Sequence, residues 1–415
     1  MGGASMRMIS APWVLPITEL AIADGGVIVD ANDTIVAVGR RADLRRHHPG
    51  AVEERADGFL LPALVNAHCH LELSALAGAV AGGGGLIAWA SRLMALVRTV
   101  DPARVAQAAA ASAGELVRYG AAAVGDVGNS LAAVPAIGAA GLRGAFFHEL
   151  VGSREARAGG ALADAGRELE SFLGSPTTWP IGLAYVPAPH APYSVGRELF
   201  RKIFHVAART GVPTSVHVAE DRDELLLLRD GSGNWPAVLA RMGVDPATRV
   251  AGQTPVAYLA SLGAFESAAP PLLVHMVHAD DDDRRRARAA GATAVLCARS
   301  NLHITGDLPD VGALIDGGVN LALGTDSLAS SPDLSLWGEI ATLASRFPRV
   351  PAATWLDAAT RGGAEAMLLA PLGSLTPGKR PGIIEVTPSD AAGAPAPEAA
   401  LVRDAHPAVR WRAGT

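Results

Sequence analysis

His68 and His70 lie two residues apart in the segment Asn66-Ala67-His68-Cys69-His70, at the end of a run of apolar residues. Side chains two apart on a strand point to the same face, so the two imidazoles can meet one ligand together. Such a pair alone is equally compatible with packed or solvent-facing histidines. A third histidine, His217, stands near the expected end of a strand in Thr214-Ser215-Val216-His217-Val218, and an acid, Asp326, follows directly on Leu323-Gly324-Thr325. Each taken singly reads as a capped strand end. The four together read as a ligand set, because three imidazoles and a carboxylate at the C-terminal ends of three strands converge where barrel enzymes collect their chemistry. Nitrogen and oxygen donors of this kind suit a divalent metal, Zn²⁺ or alternatively Fe²⁺, that keeps one exchangeable water. Such a metal lowers the pKa of that water toward neutrality, which makes the expected chemistry hydrolytic.

The elements that must position these residues are legible as β-rich runs alternating with Ala-rich helical stretches, the pattern of repeated βα units. Eight strands are expected: Leu60–His70, Ala121–Gly128, Leu142–Val151, Ile181–His190, Pro213–Glu220, Pro271–His278, Thr293–Asn301 and Val319–Ser327. Helices are expected over Leu86–Val100, Pro102–Tyr119, Gly196–Thr210, Asp280–Ala290 and Leu334–Arg346. That count favours an α/β fold with a (β/α)8 TIM barrel over residues 60–371. Residues 12–59 hold short alternating strands (Gly26–Asp30, Thr34–Gly39), and another, Ile383–Val386, follows the Gly- and Pro-rich stretch after Pro371. The two ends, 1–59 and 372–415, are therefore expected to form one small β-sandwich domain. The Ala/Pro-rich tail after Ser389 is expected to be loose. Residues 230–254 are long for a βα loop and are expected to be a lid or a substrate-facing insertion.

The 415-residue chain is long enough for a barrel and a smaller partner. A hydrophobic fraction of 49% with 18% charged residues excludes a disordered chain. Its net charge of −6 argues against a nucleic-acid surface. Cys69 and Cys297, the 2 cysteines, cannot make a disulfide framework. Met1 to Pro16 carries one charge, Arg7, and no apolar run ending in a cleavage pattern, so no signal peptide is expected. No stretch reaches the roughly 20 apolar residues of a membrane span. The expected compartment is the cytoplasm and the expected partner a small-molecule substrate, with no nucleic acid, no membrane, and a homodimer left open.

With these motifs in order, the chain resembles the amidohydrolase superfamily, in its deaminase and chlorohydrolase branch. The resemblance spans nearly the whole sequence. It rests on the HxH of His68 and His70, Pro189-His190-Ala191-Pro192-Tyr193-Ser194, the HxxE of His217 and Glu220, His275, Arg299-Ser300-Asn301-Leu302, Gly324-Thr325-Asp326-Ser327 and Gly373-Ser374-Leu375-Thr376-Pro377-Gly378-Lys379. Arg380-Pro381-Gly382 departs from the pattern, which has an Ala-Asp run there. Binuclear members bridge their metals with a carboxylated lysine at the end of strand four. Here that strand ends in Pro187-Ala188-Pro189-His190, and the lysines, Lys202 and Lys379, lie in a helical stretch and beyond the barrel. The resemblance therefore implies one metal, held by His68, His70, His217 and Asp326.

The catalytic residues it implies are Asp326, Glu220 and His275. Asp326 would also accept a proton from the water, and Glu220, placed where its strand has ended, would shuttle a proton to the leaving side. His275 would polarise the substrate, with His278 as the alternative. Substrate contacts are expected from His190, from Glu72 (toward hydroxyls, unless it only forms a salt bridge), and from Arg299 and Ser300. His148, Glu149 and His303 are minor candidates, and Trp89 reads as core. Gly82-Gly83-Gly84-Gly85 lacks the GK[ST] ending of a phosphate loop and reads as a hinge. The segment His68-Cys69-His70-Leu71-Glu72-Leu73-Ser74 resembles aminodeoxyfutalosine deaminases, so the expected reaction is deamination of an adenine nucleoside. The alternatives are deamination of S-adenosylhomocysteine, methylthioadenosine or guanine, a triazine-type hydrolysis, and a catalytically inactive binding homologue.

Overall fold

A computed structural model describes residues 6–152, 158–389 and 396–414. The chain is α/β and divides into two units. One comprises residues 1–66, 114–123 and 335–415; the other comprises 67–113 and 124–334.

The first unit carries a seven-stranded mixed sheet drawn from both ends of the chain. Its strands are β1 (Arg7–Val14), β2 (Ile22–Val29), β3 (Ile35–Arg40), β4 (Val52–Arg55) and β5 (Phe59–Pro62). The central strand β1 is antiparallel to β2 along its length. Its other edge is shared, with β4 alongside residues 7–10 and β5 alongside 13–14, both parallel. The C-terminal residues Ile383–Thr387 pair antiparallel with β5, and Ala408–Ala413 pair with Ile383–Thr387 in turn. Glu385 anchors this junction, accepting from Asp57 and Gly58 N–H at 2.8 Å each. Two expectations are corrected here. Arg7–Val14 is a full strand that the sequence reading missed. Of the tail expected to be loose, residues 390–395 lie outside the described residues, whereas Pro397–Leu401 is helical and Ala408–Ala413 is a strand.

Within this sheet the carboxylate of Glu53 receives Arg41 Nε at 2.5 Å and Ser10 Oγ at 2.6 Å. The Arg41 hydrogen bond, working against burial, brings its pKa down to about 2. A carboxylate depressed in the folded state contributes stability above its unfolded pKa and loses it as pH falls toward the folded value. Glu53→Gln should therefore lower stability at pH 7 by on the order of 1 kcal/mol. In urea titrations that deficit should shrink as the pH falls from about 5 toward 2; a pH-independent difference would refute the assignment.

The second unit holds two four-stranded sheets. The first has the order β6 (Leu64–Cys69), β7 (Ala121–Gly128), β8 (Arg143–Leu150), β9 (Leu183–Pro189). The second has the order β10 (Ser215–Val218), β11 (Leu272–His275), β12 (Thr293–Leu296), β13 (Asn320–Leu323) and is parallel throughout. Strands β6, β7, β10, β11 and β12 are buried at every position, as parallel strands covered on both faces must be. The sheets meet at both margins. Cys69 forms a parallel bridge with Asp326, and His217 N–H donates to the His190 carbonyl at 2.9 Å.

The eight expected strands are present with shifted ends. Leu60–His70 is broken at Ala63 into β5 and β6, next to Pro62, which cannot donate a ladder hydrogen bond. Thr293–Asn301 stops at Leu296, and Ala298–Ile304 is a helix. Residues 230–254 carry a helix, Trp235–Arg241, and a 3-10 turn, Pro246–Thr248. Two of the helices that follow strands start on side-chain caps. Asp221 accepts from Asp223 N–H ahead of Arg222–Asp230, and Asp280 accepts from Asp283 N–H ahead of Asp281–Ala289. Among the described residues no helix is long and apolar enough to cross a membrane.

Candidate metal centre

The strand ends of the second unit bring the sequence-predicted ligands together. His68 is fully buried, and its ring lies 4.8 Å from that of His70 and 4.9 Å from that of His217, centre to centre. His70 Nε2 stands 3.4 Å from His217 Nε2 and 3.7 Å from Asp326 Oδ1. Donor atoms around a tetrahedral ion at about 2.0–2.2 Å stand roughly 3.3–3.6 Å apart. These separations match sharing of one ion. Donor atoms of His68, His70 and Asp326 all lie within 4.8 Å of one another, as do those of His68, His217 and His275.

Protonation states favour the same use. Burial holds the imidazoles of His68 and His217 well below their ordinary pKa, so both are neutral donors at pH 7. Burial pushes the other way on Asp326, but His70, His68, His275 and the Ser300 hydroxyl outweigh it and hold the carboxylate below its usual range. His217 Nδ1 donates to the His190 carbonyl at 3.2 Å, which leaves Nε2 free to ligate.

Glu220 and His275 lie beside this cluster. Glu220 follows β10 by two residues and is 4% exposed. Its carboxylate is 3.5 Å from His275 Nε2. Burial first, and then the charges of Asp326, Glu224, Asp221 and Glu149, raise its pKa well above the usual carboxylate value, which favours its protonated form. Burial lowers His275 to about 4. Asn301 Nδ2 donates to His275 Nδ1 at 3.1 Å, turning Nε2 toward Glu220. Three of these positions occupy left-handed backbone: Ala219 at φ 53°, His275 at 77° and Asp326 at 56°. Non-glycine residues hold that conformation at a cost of about 1–3 kcal/mol, and such strain gathers at functional sites.

Other predicted residues are distributed around this centre. His190 Nδ1 and Ser194 Oγ are 2.5 Å apart, and the ring of His190 lies 5.0 Å from that of His217. Glu72 accepts from Asn129 N–H at 2.8 Å and from Ser130 Oγ at 3.1 Å. Ser300, expected at the substrate, instead donates to Asp326 Oδ2 at 2.5 Å. Arg299 is held by Asp333, with 2.8 Å to its carboxylate and 3.0 Å to its carbonyl. The cause is the helix Ala298–Ile304, which sends successive side chains in different directions. His278 faces Asp307 at 3.8 Å, and His148 faces Tyr185 at 2.9 Å. Trp89 packs in a buried cluster with Tyr193 and Trp235.

Sequence reasoning missed several supporting groups. Glu224 closes the charged run Glu220-Asp221-Arg222-Asp223-Glu224, where an acid by default faces solvent, yet it is fully buried and accepts from Ala219 N–H at 3.0 Å and Glu220 N–H at 3.2 Å. Its spacing of four from Glu220 was the available signal. Gly324 was seen only as part of a motif. A Cβ there would stand 2.7 Å from His68 Cβ and 2.8 Å from the His68 carbonyl oxygen. The same carbonyl accepts from Thr325 N–H at 2.9 Å. Gly324→Ala should force β6 and β13 apart at the ligands, at an overpacking cost of about 1–3 kcal/mol. Chelator competition should show metal affinity reduced about 5–150-fold, by the same energy scale; wild-type affinity would refute the close-approach argument.

Comparison with known proteins adds independent findings. A family model described as "Amidohydrolase family" matches residues 59–408. The aminodeoxyfutalosine deaminase of Deinococcus radiodurans is 35% identical over 356 residues, covering 83% of this chain and 81% of that protein. A 5-methylthioadenosine/S-adenosylhomocysteine deaminase of Pelotomaculum thermopropionicum is 28% identical over 376 residues, covering 87% and 80%. Among solved structures, an adenosine deaminase from Xanthomonas campestris with bound zinc superposes with a TM-score of 0.76 at 26% identity, covering 96% of this chain and 89% of that one.

Proposed function

The chain belongs to the amidohydrolase family, and on that premise we propose that it is a mononuclear, metal-dependent aminohydrolase that releases ammonia from an adenine nucleoside, with aminodeoxyfutalosine as its leading substrate. The observation that carries this reading is the 3.4 Å and 3.7 Å spacing of His70, His217 and Asp326 donor atoms beside the Glu220–His275 pair. A hydrolase acting on carbon–nitrogen bonds accords with deaminase relatives that match across most of the chain. The two sheets, joined at both margins, are read as one closed (β/α)8 barrel over residues 60–371, with a small β domain from 1–59 and 372–415.

His68, His70, His217 and Asp326 would hold one divalent cation, zinc in preference to iron. When bound, the cation supplies a nucleophile at neutral pH by lowering the pKa of water. Asp326 is placed to accept a proton from the attacking water and would return it to the departing amine. Glu220 starts protonated and delivers its proton to a ring nitrogen of the purine, which makes the amino-bearing carbon open to attack. His275 Nε2 steadies the polarised centre on the side facing Glu220. Glu72, its carboxylate oriented by Asn129 and Ser130, is suited to accept from substrate hydroxyls, and His190 stands beside His217 as a further substrate contact.

The test is ammonia release by the zinc-loaded protein from aminodeoxyfutalosine, S-adenosylhomocysteine, methylthioadenosine and guanine. Aminodeoxyfutalosine should give a kcat/KM at least about tenfold above the others, a difference of roughly 1.4 kcal/mol in transition-state binding. A preference for S-adenosylhomocysteine or methylthioadenosine would move the substrate to that of the 28% identical relative. No ammonia from any aminopurine would overturn the enzymatic reading.

A further inference from the structure

We infer that Glu149 is a positioning residue of the metal centre, standing behind His217 and tethered by Asn129. This rests on the metal-site reading above. Glu149 is the penultimate residue of β8 and its side chain is 7% exposed. Asn129 Nδ2 donates to Glu149 Oε2 at 3.0 Å and to the Glu149 carbonyl at 3.0 Å, which fixes the carboxylate's orientation. The other oxygen, Oε1, accepts no hydrogen bond from the described residues. It lies 3.5 Å from His217 Nδ1 and 4.0 Å from His190 Nε2.

Two consequences follow from an anion in that place. Three imidazole ligands and one carboxylate, Asp326, would leave a divalent ion one positive charge in excess, and Glu149 places a further carboxylate one imidazole away. It also biases the His217 proton toward Nδ1, reinforcing the His190 carbonyl and leaving Nε2 as the donor. Outer carboxylates behind ligating histidines raise ligand basicity in this way, and their loss costs about 10–100-fold in metal affinity. A second cation shared by Glu149, His190 and His217 is a poorer account of the same groups, because it would need Nδ1 of His217, which is directed at the His190 carbonyl. Asn129 also donates its backbone N–H to Glu72 at 2.8 Å, so one residue sets both carboxylates.

The experiment measures zinc affinity of the full-length protein by chelator competition, together with the Tm of the metal-free forms. Glu149→Gln preserves size and an oxygen for Asn129 while removing the charge. It should weaken zinc binding about 10–100-fold without changing the metal-free Tm, and Glu149→Asp should recover part of the loss. Asn129→Ala should weaken binding less, and the double variant Asn129→Ala/Glu149→Gln should be no weaker than Glu149→Gln alone, since the tether acts through the charge. Zinc affinity within twofold of wild type in Glu149→Gln, or fully multiplicative losses in the double variant, overturns the inference. A wild-type chain that takes up no zinc overturns the metal-site reading itself, which separates the two failures.

Discussion

Glu220→Gln should leave zinc content at wild-type stoichiometry while kcat falls by about 10²–10⁴-fold, the range that removal of a general acid–base group costs. The substitution keeps the shape of a side chain that is 4% exposed, and the amide can still face His275 across the present 3.5 Å. What it removes is a proton that can be given and taken back. In the wild type that proton is held by burial and by the surrounding acids, Asp326 foremost. Glutamine donates a hydrogen bond but transfers no proton, so substrate binding should survive better than turnover. A split in which kcat collapses and KM changes by less than about threefold would mark an interaction made only in the transition state. Near-wild-type kcat in a protein of full zinc content would remove Glu220 from the proton path. A loss of zinc together with activity would instead make it part of the ligand environment.

How far these roles were legible depended on whether a local rule governed them. His68 and His70 were readable as a pair because strand side chains repeat every two residues, and that held although Pro62 breaks the expected strand at Ala63. His70 itself lies just past β6, at φ −123° and ψ 85°, so its direction comes from the turn that starts Leu71–Leu76. The helix Ala298–Ile304 was not legible. Val295, Leu296 and Cys297 continue the strand character, and only tertiary context turns the chain so that Ser300 reaches Asp326 and Asn301 reaches His275. Glu224 was hidden for a different reason: acids in a charged run default to solvent, and its burial follows from backbone donors at Ala219 and Glu220 that a sequence cannot display. Glu149 is the extreme case. Its partners are brought to it by separate elements, Asn129 from the end of the adjacent β7 and His217 from β10 in the other sheet, rather than by any periodic pattern. The C-terminal strand Ala408–Ala413 was obscured by the Ala/Pro composition preceding it; its pairing partner, Ile383–Thr387, supplies the edge that orders it.

His217→Ala tests whether the cluster is a metal centre at all, and its expected effect is larger than that of any outer residue. Loss of a partner behind a ligand costs about 10–100-fold in affinity, so loss of the ligand itself should exceed about 100-fold. Thermal shift converts this into a second readout independent of turnover. At free zinc about 1,000 times its Kd, the wild type gains roughly 4.1 kcal/mol from binding, and a 100-fold weaker variant gains only about 1.4 kcal/mol at the same zinc. The zinc-dependent rise in Tm should therefore largely vanish in His217→Ala. The metal-free forms should differ modestly, because deleting the ring opens space between His70, His190 and Glu149, and burial already disfavours its charged form. If His217 were only a packed histidine, the order would reverse: metal-free stability would fall and the zinc-dependent increment would be unchanged. The 3.4 Å between His70 Nε2 and His217 Nε2 argues for the first outcome, since it is the separation of two donors that share one ion.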